Sequence, residues 1–343
     1  MELNIEHRPA AHCENGTIAA LLRYEGIDLS ESMIFGLASG LYFSHIPFVK
    51  LSGMPVTSFR TFPGVLFKRV TTMLGIKTKT LRFIRQEKAM QTLDHVLLNE
   101  HKPVGCVVGM FYLPYVPKEY RFHFNGHNIC IVGKDEQTNM YSVVDTNATQ
   151  KVSISSADLQ RVRFAKGGPY PLMGQMYWIK GQGVKEGVIT PELIVKSIRK
   201  NCKEMIGQPR WLPWLGVRGI ALLAKRIRIW ESTMGHREAM LNLAQVIRML
   251  EEIGTGGAGF RFIYGAFLQE AAEITGLEEL WNFAERITTI GDYWREFAYK
   301  GSRIIKKRKG EEYTFDDLGC LLDNIATLEK QFFTELSTIN YKP

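Results

Sequence analysis

Cys13 stands where a helix is about to begin. The run IAALLRY, residues 18–24, has the apolar spacing of a helix and ends before Gly26. The unpaired N–H groups and the positive dipole end at a helix start stabilise a thiolate, which is the reactive form of cysteine. A small buried thiol without chemistry is the alternative interpretation. The polar neighbours His12, Glu14 and Asn15 suit a core poorly, and they favour a nucleophile.

A nucleophilic cysteine needs a base, and the base needs an orienting group. His127 opens the strand-like run HNICIVG, and a polar loop separates it from a second run, MYSVVD, which ends at Asp145. In a hairpin that pairs Gly133 with Asn139, His127 would lie directly opposite Asp145, with about 5 Å between their Cβ atoms. Asp145 would then orient the imidazole and stabilise its charged form. The sequence therefore predicts a catalytic set of Cys13, His127 and Asp145.

The elements that must position these residues change in type along the first half of the chain. Helices are predicted over 18–24, from an N-cap at Ser30 through Leu41, and around 86–99. Strands are predicted over 104–112, 127–133, 140–145 and near MYWIKG, residues 176–181. Helices followed by antiparallel strands indicate an α+β domain over residues 1–180.

The second half of the chain has a helical pattern almost throughout. KGQGVKEG, residues 180–187, is rich in glycine and charge and is the predicted linker. Beyond it, helices are predicted over 191–202, 217–232, 236–253, 260–275, 277–299 and 316–336. At 343 residues the chain is long enough for two domains, so an all-helical domain is expected over 188–343.

Three longer segments carry a family resemblance. HCENGTIAALLRYEGIDLSESMIFGLASGLYF and GTGGAGFRFIYGAFLQEAAEITG resemble the butirosin biosynthesis protein H family, and GHNICIVGKDEQTNMYSVVD resembles the His-to-Asp hairpin of C39-type peptidases. The resemblance implies a papain-like (C39-like) cysteine enzyme domain followed by an all-helical domain. It also implies that Cys13 attacks a thioester, that His127 relays protons and that Asp145 orients His127.

The family prototype is an acyltransferase, so the resemblance implies a thiol-dependent N-acyltransferase of antibiotic biosynthesis. An acyl or aminoacyl group would pass from the phosphopantetheine thioester of an acyl carrier protein, through acyl-Cys13, to an amine of an aminoglycoside-like small molecule. No cofactor bound to the chain itself is implied, and coenzyme A stays open as the carrier of the donor. A cysteine amidase or peptidase with the same three residues is one alternative. A non-catalytic binding protein with a vestigial set is the other.

The chain lacks one residue that papain-like enzymes usually carry. They place a glutamine several positions before the cysteine as a donor to the oxyanion, and none occurs between Met1 and Cys13. His7 and the backbone N–H of Cys13 are the candidate donors in its place. His12 and Asn15, which flank the nucleophile, are candidates for contact with substrate, although His12 equally suits a surface position.

The glycine-rich segment over residues 254–259 precedes a predicted helix and has two interpretations. It lacks the Lys-Ser/Thr ending of a phosphate-binding loop. In the first interpretation, it connects two helices, and glycine supplies positive φ angles. In the second, the N–H groups that open the next helix act with Arg261 and Tyr264 to bind a carbonyl or anionic part of the substrate.

Composition limits the partners and the compartment. The formal net charge is +8, and basic residues cluster in the second half, which fits docking of an acidic carrier protein on a basic surface of the helical domain. A solvated helix face is the alternative, and no nucleic-acid-binding motif accompanies the charges. Five scattered cysteines argue against a disulfide framework and a zinc cluster. With no signal peptide or membrane-spanning run in the sequence, a cytoplasmic protein is expected.

A metal site is disfavoured by the histidine pattern as well. His123 and His127 have the i, i+4 spacing that binds zinc on a helix. The intervening residues include Asn-Gly, which breaks a helix, and the glutamate of the HExxH motif is absent. No metal ligands are therefore assigned.

Overall fold

Eight strands make two sheets among the residues that the structure describes. They are β1 (Leu41–Leu51), β2 (Met54–Arg60), β3 (Thr78–Leu81), β4 (Val104–Gly109), β5 (Asn125–Asp135), β6 (Met140–Val144), β7 (Val152–Ser155) and β8 (Met176–Ile179). β1 pairs with β2, and the other six form an antiparallel sheet in the order β3-β8-β4-β5-β6-β7. This structure, a computed structural model, describes residues 1–51, 53–181, 189–306 and 312–341.

The two central strands of the larger sheet are buried along nearly their whole length. Every residue of β4 is buried, as are the residues of β5 from Asn125 to Gly133. A strand that is covered on both faces has a near-continuous apolar sequence instead of a strict alternation. That pattern explains why VGCVVG and HNICIVG indicate strands in the sequence.

Twelve α-helices accompany the strands within the described ranges of the chain. They are α1 (Cys13–Tyr24), α2 (Glu31–Leu37), α3 (Val65–Met73), α4 (Gln86–Asp94), α5 (Ser156–Arg163), α6 (Pro191–Ile206), α7 (Gly216–Ile227), α8 (Trp230–Met234), α9 (His236–Glu251), α10 (Arg261–Thr275), α11 (Glu279–Lys306) and α12 (Phe315–Leu336). A π-helical turn, His95–Asn99, follows α4 directly. Short 3₁₀ turns occur at Met110–Tyr112, Lys118–Tyr120 and Ala258–Phe260.

The chain divides into two compact units. Unit 1 comprises Met1–Ile34 and Pro63–Val188, and unit 2 comprises Phe35–Phe62 and Ile189–Pro343. Unit 1 contains the six-stranded sheet, with α1 packed on β4 and β5 and α5 packed on β4. Unit 2 contains the β1–β2 hairpin and the helices from α6 to α12, with α7 packed on both β1 and α12.

The predicted class is confirmed at the coarse level, because a sheet-containing first part precedes a helical second part. The predicted second helix ends at Leu37 instead of Leu41. Ser39 has a φ of 49°, a left-handed conformation that ends a helix, and β1 begins two residues later. The β1–β2 hairpin was not predicted, and it gives Phe35–Phe62 to unit 2 although the sequence pattern groups this segment with the first domain.

The predicted helices of the second half all occur, with one subdivision. The helix predicted over 217–232 is two helices, α7 and α8. Most of the predicted linker, from residue 182 on, lies outside the described residues, as do Lys307, Arg308 and Lys309 of the basic run. None of the helices in the described ranges is long and apolar enough to cross a membrane.

Candidate active site

Cys13 is the first residue of α1 and is half-buried. His12 caps the helix, because its Nδ1 accepts the backbone N–H of Asn15 at 3.4 Å. The carboxylate of Glu31 accepts the backbone N–H groups of Ala11 and His12 at 3.0 and 3.1 Å. These bonds fix the chain just before the helix. Cys13 therefore sits at the positive end of the helix dipole, where the sequence placed it.

β5 carries His127, and the chain just beyond β6 carries Asp145. Nε2 of His127 lies 2.8 Å from Oδ2 of Asp145, and both side chains are buried. An ionised carboxylate only accepts hydrogen bonds, so Nε2 is protonated and Nδ1 is left for a second partner. Cys13 is the neighbouring group, since Cys13 and His127 shift each other's pKa by charge and by hydrogen bonding. The structure thus joins Cys13, His127 and Asp145, here named the Cys–His–Asp cluster.

The hairpin register differs by two residues from the predicted one. Cys130 pairs with Val144, so the register extended by one residue places Asp145 opposite Ile129 instead of opposite His127. Side chains alternate between the two faces of a strand, so an offset of two keeps His127 and Asp145 on the same face. The carboxylate reaches the imidazole diagonally. The predicted register is wrong, and the predicted contact is present.

A β-bulge in β5 places Asp145 on the same face of the hairpin as His127. Near the turn, Asp135 pairs with Met140, and this register would place Asp145 opposite Cys130. An odd offset of that kind would direct the carboxylate to the face opposite the histidine. One additional residue of β5, Val132, intervenes and shifts the register by one. The bulge therefore returns Asp145 to the face of its partner.

Three further groups hold Asp145 in place. The Tyr115 hydroxyl donates to Oδ2 at 2.9 Å, and the backbone N–H of Asn147 donates to Oδ1 at 3.0 Å. Nε2 of His7 lies 3.0 Å from the backbone carbonyl oxygen of Asp145. Both carboxylate oxygens and the carbonyl oxygen are therefore occupied, which restricts the orientation of the acid that contacts the imidazole.

A cavity adjoins the Asp145 side of the Cys–His–Asp cluster. Its volume is about 330 Å³, and apolar and aromatic side chains dominate its lining, among them Met110, Val116 and Tyr120. Tyr115 and Asn147 also line it. Two of the groups that hold the carboxylate thus border open space of small-molecule size.

The electrostatics of the Cys–His–Asp cluster favour a charged pair. Burial acts to raise the pKa of the Cys13 thiol, but the facing His127 lowers that pKa below its usual value by charge and by hydrogen bonding. Burial acts to lower the pKa of His127, yet Asp145 and Cys13 raise it well above its usual value. His127 in turn lowers the pKa of Asp145 despite its burial. These shifts favour the pair of thiolate and imidazolium over the neutral pair.

Gly16 allows α1 to approach the chain that follows Asp145. A Cβ at this position would lie 2.1 Å from Cγ2 of Thr146 and 2.9 Å from Cβ of Ala10. Real Cβ atoms do not approach other heavy atoms so closely, so any larger residue would displace Thr146. This contact joins the helix of the thiol to the segment of the carboxylate.

His7 and His12 have other partners than the predicted ones. A carbonyl oxygen only accepts, so the Nε2–H of His7 donates to Asp145 and is not directed at an oxyanion. His12 is 3% exposed, and its Nδ1 caps α1, so the structure gives it a role in the helix rather than on substrate. The backbone N–H of Cys13 lies in the first helical turn, where no intrahelical acceptor exists. It stays the predicted oxyanion donor.

The placement of Asn15 does not support contact with the substrate of Cys13. Helical residues advance by about 100° each, so Asn15 leaves α1 roughly 200° away from Cys13. Its side chain is fully buried, and neither amide atom has a hydrogen-bond partner among the described residues.

Arg261 and Tyr264 belong to the core of unit 2, contrary to the expectation that they bind substrate. Arg261 donates to both carboxylate oxygens of Glu329 at 2.9 and 3.0 Å, and the indole N–H of Trp294 donates to the same carboxylate at 2.8 Å. Arg261, Glu329 and Tyr264 are fully buried, so a dissolved substrate does not reach them. The glycines of residues 254–259 all have positive φ, which supports the connection between two helices.

Asn128 lies beside the thiol and Tyr177 lies beside Asn128, although no sequence motif marks either residue. Nδ2 of Asn128 is 3.9 Å from Sγ of Cys13 and 3.1 Å from the carbonyl oxygen of Gly126. The hydroxyl of Tyr177 is 2.8 Å from Oδ1 of Asn128. Asn128 follows the predicted base directly in sequence, which is the one signal that sequence reasoning could have used.

Two family models match the chain. Residues 12–146 match the family described as butirosin biosynthesis protein H, N-terminal, a range that begins one residue before Cys13 and ends one residue after Asp145. The chain belongs to the butirosin biosynthesis protein H family. Residues 157–336, just over half of this member of the family, match a second model, described as a domain of unknown function (DUF4872). No curated protein matches the chain.

The two matched ranges divide this butirosin biosynthesis protein H family chain differently from its compact units. The second range begins within α5 and ends at the last residue of α12, so it includes β8 of unit 1 as well as the helices of unit 2. The first range contains the whole Cys–His–Asp cluster.

Proposed function

We propose that this chain is a thiol-dependent N-acyltransferase with Cys13 as nucleophile, His127 as proton carrier and Asp145 as the residue that orients His127. One observation carries the proposal: His127 bonds the carboxylate of Asp145 through Nε2, and the pKa values of His127 and Cys13 shift each other toward the charged pair. Nucleophile, base and orienting acid in this order are the constellation that covalent acyl transfer requires.

The family and the fold support the same proposal. The family description, butirosin biosynthesis protein H, supports a role as a biosynthetic enzyme that acts on an aminoglycoside-type small molecule. A papain-like domain is part of the proposal, because the thiol opens a helix that packs on the strand of the histidine, and the acid follows the next strand. The same triad order recurs on unrelated folds, so the geometry, not the fold, carries the chemistry.

In the first half-reaction, the Cys13 thiolate attacks the carbonyl carbon of an acyl thioester. The Sγ–C bond forms and the carbonyl electron pair moves to oxygen, where the backbone N–H of Cys13 is the proposed donor. Collapse of this intermediate breaks the bond to the sulfur of the phosphopantetheine arm. The imidazolium of His127 gives its proton to that leaving sulfur. The products are acyl-Cys13 and the free donor thiol.

In the second half-reaction, an amine replaces the donor thiol. The amine nitrogen attacks the carbonyl carbon of acyl-Cys13, and neutral His127 accepts the proton that the nitrogen loses. The C–N bond forms, the C–Sγ bond breaks, and its electron pair returns to sulfur as thiolate. The imidazolium that results restores the resting pair, and Asp145 stabilises it across the 2.8 Å contact.

An acyl carrier protein is the proposed donor partner, and charge is the proposed reason for docking. The net charge of +8 favours an acidic partner. Some of the basic residues of the helical part are engaged within unit 2, since Lys200 pairs with Glu204 and Arg228 pairs with Asp316. Electrostatic docking is therefore proposed for the remaining excess charge rather than for every residue of the basic run.

Intact-mass measurement tests the proposal. The purified chain is incubated with an acyl-pantetheine thioester and then with a panel of amines. We expect a thioester adduct on Cys13 that amines discharge faster than water does. Cys13→Ala should abolish the adduct, and Cys320→Ala, which removes the exposed thiol, should leave it unchanged.

Two other outcomes would replace the proposal. Rapid discharge by water alone would make the chain a cysteine amidase or peptidase. No adduct with any thioester would contradict the enzyme hypothesis and leave a binding protein with a vestigial cluster.

A further inference from the structure

We propose that Asn128 is a catalytic residue, whose side-chain amide donates a hydrogen bond to the Cys13 sulfur whenever that sulfur carries negative charge. For the acyl-transfer step this inference rests on the proposed function. For the thiolate of the free protein it does not, because ionisation of Cys13 needs no substrate.

The neighbours of Asn128 fix the orientation of its amide. The carbonyl oxygen of Gly126 only accepts, so the atom 3.1 Å from it must be the NH₂ group and not the amide oxygen. That group has two hydrogens. One bonds Gly126, and the other is available to Sγ of Cys13, which is 3.9 Å from the nitrogen, within the range of hydrogen bonds to sulfur. Hydrogen bonding from the Asn128 backbone also lowers the pKa of the Cys13 thiol.

Tyr177 positions Asn128 from the opposite side. Burial raises the pKa of the Tyr177 hydroxyl well above its usual value, so the hydroxyl stays protonated and donates to Oδ1 of Asn128. The Tyr177 ring has close neighbours at Phe67 and Gly105. It packs on Phe67 with 4.6 Å between ring centroids, and a Cβ at Gly105 would lie 2.4 Å from the ring. Tyr177 is thus a positioning residue.

A donor at this sulfur acts at two points in the reaction. It stabilises the thiolate before attack, which increases the reactive fraction at neutral pH. It acts again when the amine displaces Cys13: as the C–Sγ bond breaks, the electron pair collects on sulfur, and the Nδ2–H group stabilises that charge in the transition state. The proton from the amine goes to His127, so Asn128 exchanges no proton.

Asn128 differs in role from the upstream glutamine of papain-like enzymes, because that glutamine donates to the oxyanion and Asn128 lies at the sulfur. No glutamine occurs between Met1 and Cys13, and the Nε2–H of His7 is committed to Asp145. Asn128, reached through the strand of the histidine, supplies a side-chain N–H at the reacting sulfur.

The pH dependence of Cys13 alkylation by iodoacetamide, followed by mass on the full chain, tests this inference without any substrate. In Asn128→Leu, which keeps the size of the side chain and removes the donor, we expect alkylation about tenfold slower at about pH 6. The two rates should converge at alkaline pH, where the thiol is ionised in both proteins. Tyr177→Phe, which removes one oxygen and keeps the ring, should change the profile in the same direction by a smaller factor.

Tyr141→Phe is the matched control. Tyr141 is a buried tyrosine of the same sheet, but its hydroxyl bonds Asp94 at 2.6 Å, so the alkylation profile should not change. If the profiles of Asn128→Leu and Tyr177→Phe coincide with that of the parent chain, the inference is overturned. If Asn128→Leu does not fold, Tyr177→Phe decides alone. A shifted profile in a chain that forms no acyl adduct would support Asn128 at the thiolate and contradict only the proposed acyl transfer.

Discussion

At the scale of single residues, the same side chain has opposite properties at different places in this chain. Burial raises the pKa values of the Cys106 and Cys130 thiols, so both stay neutral and behave as small apolar residues. Cys13 has a lowered pKa because His127 faces it. A local charge partner, and not burial, therefore decides which thiol has the lowered pKa.

Removal of the imidazole should suppress the reactivity of Cys13. In His127→Ala, burial acts on the thiol without its charge partner, so the pKa of Cys13 should move above its usual value. We expect alkylation at least about tenfold slower near pH 7, with the difference shrinking as the pH rises. Alkylation of the exposed Cys320 in the same sample is the internal control. An unchanged rate at Cys13 would show that His127 does not sustain the thiolate.

Asp145→Asn tests the orienting carboxylate with little change in shape. Acyl transfer should fall by about a factor of 10² to 10⁴, because the imidazolium loses its counter-charge. The pKa of His127, followed by NMR, should decrease. Tyr115→Phe, which removes one bond to Asp145 and leaves its charge, should cost about tenfold or less. Equal losses in both variants would contradict an electrostatic role for the carboxylate.

Asp145→Asn should also reveal that Asp145 makes a pH-dependent contribution to the free energy of unfolding. Asp145 has a folded-state pKa below its usual value, so its contribution is present above about pH 4 and is lost as the pH falls through the folded-state value. The difference in free energy of unfolding between the parent chain and Asp145→Asn, measured with urea, should therefore shrink at acidic pH. A difference that grew on acidification would reverse the assigned direction of the pKa shift.

At the scale of elements, the active geometry depends on where α1 and the β5–β6 hairpin touch. Gly16 lies against Thr146 at a distance that excludes a side chain. The bulge at Val132 decides which face of the hairpin carries Asp145. The contact between Gly16 and Thr146 and the bulge at Val132 therefore together set the position of α1 relative to the hairpin.

Gly16→Ala tests the close approach. The new Cβ would lie 2.1 Å from Cγ2 of Thr146, so Thr146 must shift, at a cost of about 1–3 kcal/mol in free energy of unfolding. Thr146→Ser removes that methyl group, and the double variant should recover part of the loss. Urea unfolding of both single variants and the double variant forms a complete cycle. Additive effects would show that the two residues do not touch.

At the scale of the whole molecule, unit 2 contains a buried ion pair that the Cys–His–Asp cluster does not use. Glu329 accepts from both Arg261 and Trp294 in a fully buried setting. An ion pair of this kind is costly to break, because one charge is left without a partner. Its position in the core makes it structural.

Glu329→Gln should therefore destabilise the chain by about 3–5 kcal/mol, as measured by urea unfolding. The double variant Arg261→Met/Glu329→Leu, which removes both charges, should be closer to the parent chain in stability. Alkylation of Cys13 should be unaffected in the fraction that is folded. A large change in Cys13 reactivity with unchanged stability would assign Arg261 and Glu329 to the chemistry instead.

The positive net charge of the molecule leads to a separate prediction about how salt affects the rate with a carrier-bound donor. If a carrier protein docks by charge, the rate at limiting concentration of a carrier-bound thioester should fall as salt increases. The rate with a free pantetheine thioester should change little. Equal salt dependence for the two donors would contradict electrostatic docking of the carrier.

The sequence by itself determined the helices and strands that a periodic pattern of apolar residues marks. The helices of the second half follow from apolar spacing, and the central strands follow from β-branched runs. Cys13 was placed correctly because a helix start is marked within a few residues of chain. His127 and Asp145 were found because a hairpin brings together residues that are close in sequence.

Only the tertiary structure decided the rest, because it depends on contacts between distant residues. The bulge at Val132 arises from pairing that no local pattern encodes. Tyr177 approaches Asn128 from another strand, and Tyr115 reaches Asp145 from an irregular segment. The sequence around Arg261 suggests a ligand-binding residue. In the structure, Arg261 instead binds Glu329, which is 68 positions away in the chain. The charge state and the solvent exposure of a side chain depend on its neighbours, and those neighbours are determined by the tertiary structure.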